Sequence, residues 1–147
     1  MNRRTGLKQR ILLLTLLLGL ATAPLTLAEE PSTGEVALDG YCPVAYVAMD
    51  KAVQGNPKFA SEYQGRTYYL ANGKAKKMFD KAPQDYSVAY DGLCATGMAH
   101  GMKVASDPNL FIVQDGKTYL FANEEAKAMF TKDPAHVVTQ ADRNWSK

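Results

Sequence analysis

The chain carries one pattern twice, and that duplication constrains its fold more than any other feature. Asp39-Gly40-Tyr41-Cys42 returns as Asp91-Gly92-Leu93-Cys94. The stretch from Gly65 to Asn72 returns from Gly116 to Asn123, and the likeness continues to Pro83 and Pro134. From Gly65 to Pro83 the offset is 51, and 11 of 19 positions are identical. The cysteines are offset by 52, so one residue has been lost between these anchors. A unit repeated in this way buries its apolar face against its copy. Pseudo-twofold packing would bring equivalent residues together, and the chain's two cysteines hold equivalent positions. They are the first candidates for a shared site.

Residues 1–28 read as an export signal. Arg3, Arg4, Lys8 and Arg10 precede an apolar run from Ile11 to about Leu20, and small residues lead to a cut after Ala28. The run is too short and too basic at its flank for a membrane anchor. A periplasmic or secreted protein is expected, with no anchor in the mature chain. Residues 29–35 read as a flexible leader, and 36–147 as one domain, with repeat one at 36–88 and repeat two at 89–147. Four of the 17 Lys and Arg residues lie in the signal, which leaves the mature chain acidic by two charges. No basic surface remains for nucleic acid. In an oxidising compartment, two cysteines also make a disulfide available.

Turn and cap signals give the coarse structure. Pro43 after Cys42 predicts a helix to about Met49. A hairpin is expected around Gln64-Gly65, then a helix capped by Asn72 and stopped before Pro83. The second half predicts a short helix from Cys94 to His100, ended by Gly101, and a hairpin around Asp115-Gly116. A helix capped by Asn123 follows, and a last one runs from Pro134 to about Trp145. The class is α+β, two ββα-like repeats with a C-terminal helix. Met78-Phe79 and Met129-Phe130 read as core, as do Tyr68 and Tyr119, while Trp145 is expected to pin the last helix.

On a helical wheel, Tyr46 and Met49 share the face of Cys42, and Met98 and Met102 follow that of Cys94. Thiolate with thioether is a soft ligand set, suited to Cu(I) above zinc. His100 lies about 120° around from Cys94 and joins only where Gly97 or Gly101 breaks the helix. A thiol at a helix N-terminus equally serves as a redox thiol or nucleophile. The chain has no Cys-x-x-Cys, P-loop or dinucleotide fingerprint, and its two histidines leave conventional hydrolase chemistry without parts.

The string from Gly40 to Tyr46, Gly-Tyr-Cys-Pro-Val-Ala-Tyr, resembles the Gly-Tyr-Asp-Pro-Val-Ala-Tyr opening of secreted YHS-domain proteins. Tyr63-Gln64-Gly65, Phe79, Pro83 and Tyr86 fit that family's aromatic hairpin and helix end. Asp91 to Ala95 is similar to its Gly-Gly-Tyr-Cys-Ala segment, and Val113 to Leu120 to one of its strands. Ala141-Asp142-Arg143-Asn144-Trp145 is similar to its C-terminal Ala-Asp-x-Asn-Trp. The resemblance covers Val36 to Trp145 and implies a relation to modules of copper- and heavy-metal-transport proteins, where a cysteine touches the metal. Here Cys42 replaces the usual Asp and His100 the usual Gln, and both changes add ligands.

A transition-metal-binding protein for carriage or sequestration in the envelope is therefore expected, with copper as the metal. Cys42 and Cys94 would anchor it, and Met49, Met98, Met102 and His100 would complete the site. An envelope metal-transport protein would be the partner, and binding rather than enzymatic turnover the task. Two alternatives stand beside it. In one, Cys42 attacks and Cys94 resolves in thiol–disulfide exchange. In the other, a Cys42–Cys94 disulfide staples a non-catalytic interaction domain.

Overall fold

Proline, asparagine and glycine set the boundaries of nearly every element. The computed structural model describes residues 34–146, which belong to one compact unit. The expected export signal and most of the leader lie outside the described residues. Pro43 opens helix α1 (Pro43–Met49), with Cys42 as the N-cap and Asp50 closing it in the left-handed region. Strands β1 (Asn56–Tyr63) and β2 (Arg66–Leu70) pair antiparallel across Gln64-Gly65, both at positive φ. Asn72 starts α2 (Gly73–Lys81) by accepting a 2.9 Å hydrogen bond from the Ala75 N–H. A 3-10 turn, Pro83–Tyr86, follows.

The same order of elements comes again. Helix α3 spans Ala95–Ala99, and β3 (Asp107–Gln114) pairs with β4 (Lys117–Phe121) across Asp115-Gly116. Asn123 starts α4 (Glu124–Lys132) with a 2.8 Å bond from the Ala126 N–H. Helix α5 (Pro134–Trp145) stands where the first half has only the short 3-10 turn Pro83–Tyr86. Tyr63 faces Arg66 and Ser61 faces Tyr68, just as Gln114 faces Lys117 and Ile112 faces Tyr119. Each long strand also breaks register at the equivalent place, between Asn56 and Ala60 and between Asp107 and Phe111. The protein is thus α+β, with two two-stranded antiparallel sheets and five α-helices among the described residues.

The duplicated Asp-Gly segments have a role that composition did not reveal. Leu38, Asp39 and Gly40 have φ of 56°, 49° and 81°, and Tyr90, Asp91 and Gly92 have φ of 55°, 54° and 83°. Three successive left-handed residues turn the chain sharply just before each cysteine. Non-glycine residues there cost on the order of 1–3 kcal/mol each, so surrounding packing must hold them. The buried Leu38 and Tyr90 side chains supply that packing. Gly92 also permits a close approach, since a Cβ on it would lie 2.8 Å from Leu38 Cδ2.

Two apolar clusters make the core. The first gathers Leu38, Cys42, Tyr46, Leu70 and Phe79, and takes in Leu120 from β4. The second gathers Tyr90, Met98, Tyr119, Phe121, Phe130 and Ala141. Tyr46 joins the halves: its ring lies 4.8 Å from that of Phe111, and its hydroxyl donates to Pro108 O at 2.9 Å. Burial, aided by nearby Tyr41 and Cys42, pushes this phenol far above its ordinary range, so it remains a neutral donor.

Phe79, Phe130, Tyr68 and Tyr119 are buried as expected. Met78 is only partly buried. Met129 departs from the expectation: it is 41% exposed, because the inward side of α4 is taken by Phe130. Trp145 meets Tyr90 edge-on at 6.0 Å while remaining half-exposed. Gly34 and Glu35, placed by sequence in the leader, already accept hydrogen bonds from the Thr67 side chain and backbone. No helix among the described residues is long and apolar enough to cross a membrane.

Candidate functional site

Each cysteine is delivered by a left-handed turn to the start of a short helix, and each is anchored alike. The Cys42 N–H donates to Val53 O at 2.8 Å, and the Cys94 N–H to Val104 O at 2.9 Å. The cysteines are offset by 52 and the two valines by 51, so the lost residue falls in the loop that closes back on Cys94. That loop follows a five-residue α3, where α1 has seven residues. Gly97 replaces Ala45 at the equivalent position, and a Cβ there would lie 3.1 Å from Val104 Cγ2 and 3.3 Å from Met102 O. The missing methyl lets the loop pack closely on α3.

The result is a cleft of about 220 Å³ beside Cys94, walled by His100, Met102, Val104, Glu125 and Met129. Cys94 is 2% exposed, and its Sγ accepts the Gly97 N–H at 3.4 Å. Cys42 is 0% exposed, does not line this cleft, and packs in the first core cluster. Both cysteines are free thiols.

The residues named from sequence therefore separate. Cys94, His100 and Met102 share the cleft, with Met102 53% exposed at its rim. The turn at His100-Gly101 supplies the helix break that His100 required, since α3 ends at Ala99 and Gly101 has a φ of 75°. Met98 points into the second core cluster, and Met49 stands 57% exposed on α1. The helical wheel misplaced Met102 because α3 ends before reaching it; Met102 reaches the cleft from the following loop. Sequence reasoning missed Met129, Val104 and Glu125. Met129 had a signal, its position beside a core phenylalanine on an amphipathic helix, but that pattern does not say which neighbour turns outward.

Chemically, the cleft walls carry one thiol, two thioethers, one imidazole and the Glu125 carboxylate. Among the described residues, no group of three or more His, Cys, Asp or Glu side chains is placed to hold a metal ion. Comparison with family models, with curated proteins and with solved structures finds no match for this chain.

Proposed function

We propose that this is an exported soft-metal-binding protein that carries or sequesters Cu(I), with Cys94 as the anchoring ligand. The observation that supports this reading is that Cys94, His100, Met102 and Met129 line one cleft. Thiolate, thioether and imidazole form a donor set for Cu(I), which accepts low coordination numbers and soft ligands. Bound there, copper would be held by residues of the second half alone. Cys42 would serve as a core residue in the first half, and Met49 and Met98 would take no part. The equal strand registers also favour internal duplication of one unit, in keeping with the YHS resemblance and its metal-transport relatives. An envelope metal-transport protein would be the exchange partner.

The exchange reading finds less support, because Cys42 packs in the first core cluster while Cys94 lines the cleft, so the two thiols do not share one site. A staple likewise has no support in two free thiols.

Competition against a chromophoric Cu(I) chelator, under anaerobic reducing conditions, tests the proposal. Wild type and Cys42→Ser should bind one equivalent with similar affinity, while Cys94→Ser should lose roughly two orders of magnitude. No binding by folded wild type, or equal losses in both variants, would sink it.

A further inference from the structure

We propose that Asn144 is a positioning residue for the Cys94 cleft, fixing from α5 the loop that forms one of its walls. Helix α3 has five residues, too few to hold its own last turn firmly. The Asn144 Nδ2 group donates to Met98 O at 3.0 Å and to Ala99 O at 3.1 Å. These are the last two carbonyls of α3, in the stretch where a helix runs out of its own i+4 donors; Met98 O shares its acceptance with the Gly101 N–H. Beyond them the Gly101 N–H returns to Met98 O and the Met102 N–H to Gly97 O, each at 2.9 Å. That turn carries His100 and Met102 to the cleft, and the loop ends at Val104, whose carbonyl receives the Cys94 N–H.

Asn144 is itself rigidly carried. Val137 and Ala141 bury one face of α5, the Tyr90 hydroxyl donates to Asp142 Oδ1 at 2.9 Å, and Trp145 abuts the Tyr90 ring. The Asp142, Asn144 and Trp145 positions thus act together: two fix α5 on Tyr90, and the third grips α3. Helix α1, after Cys42, instead closes on its own left-handed Asp50. The inference rests on the copper reading only for its affinity readout.

The test compares wild type with Asn144→Ala and Asn144→Asp in the mature chain. The aspartate keeps the side-chain shape and, ionised at neutral pH, cannot donate to a carbonyl. Two readouts are taken: Cu(I) affinity by chelator competition, and the rate at which an uncharged alkylating reagent labels each cysteine, resolved by peptide mass. Both variants should weaken Cu(I) binding about tenfold, the scale of one or two lost hydrogen bonds. Both should speed labelling of Cys94 severalfold and leave Cys42 unchanged.

If wild type binds no copper but Cys94 labelling still rises selectively, the positioning role stands and the copper reading falls. If Asn144→Asp behaves as wild type, or both cysteines accelerate equally, the side chain serves packing or general stability and the proposal is overturned. Unchanged labelling at both cysteines overturns it as well.

Discussion

The Cys42 and Cys94 surroundings are built from the same parts, and both thiols are buried, yet only Cys94 lies in the wall of a cleft. Both cysteines follow a left-handed turn, cap a short helix, and donate an N–H to a valine carbonyl. Around Cys42 the space is filled, with Tyr46 packed at the position equivalent to Met98. Around Cys94 the loop is one residue shorter and packs closely on Gly97, the helix is shorter, and a cleft lies beside the thiol. Repeating an anchor does not repeat what surrounds it: the surroundings depend on side chains and loop length several residues away.

Four experiments break or sharpen the comparison, beginning with the largest effect. Phe79 packs against Tyr63 and Tyr68, and Phe130 against Tyr119 and Phe121. Phe79→Ala and Phe130→Ala should each cost about 3–5 kcal/mol in urea unfolding. Clearly unequal losses would show that the two cores are not equivalent supports.

Next, stability should separate the cysteines in the sense opposite to copper binding. Cys42→Ser places a hydroxyl in the fully enclosed first core and should cost about 1–3 kcal/mol. Cys94→Ser should cost less, because the Gly97 N–H already faces that side chain. A more damaging Cys94→Ser in thermal unfolding would reverse this assignment.

Gly97→Ala restores the first half's residue and should force the Met102–Val104 segment outward. The expected loss is about 1 kcal/mol of stability, with a severalfold weaker Cu(I) affinity. A stabilised protein with unchanged affinity would mean that the loop relaxes freely and the glycine is not what shapes the cleft.

The smallest effect is acid sensitivity. Desolvation raises the Asp80 pKa, but hydrogen bonds from Ser61 and Lys76 and the Lys76 charge outweigh it, so the carboxyl sits below its usual range. Its stabilising contribution is complete above the unfolded value of about 4 and is lost as pH falls through the lower folded value. In the second half Thr131 stands at the equivalent position, and the acid-sensitive group is instead Asp107, lowered by hydrogen bonds from the Asn109 N–H and side chain. Asp80→Asn should flatten part of the acid limb of stability against pH, and Asp107→Asn another part. An unaltered limb in both would remove these carboxylates from the account.

Sequence alone determined the element order, the α+β class, the turns at Gln64-Gly65 and Asp115-Gly116, and the caps at Asn72 and Asn123. These features arise from interactions within a few residues, where backbone sterics and one side-chain hydrogen bond decide the outcome. The left-handed turns at Leu38–Gly40 and Tyr90–Gly92 were marked only as a repeated Asp-Gly, because leucine and tyrosine at positive φ run against local preference. Tertiary packing decided the rest: that Cys42 is enclosed and Cys94 lines a cleft, and that Met129 faces outward while Met98 does not. It also set Asn144 on carbonyls 45 and 46 residues away. Burial and access depend on what distant segments place against a residue, and a residue's own neighbours in sequence do not carry that information.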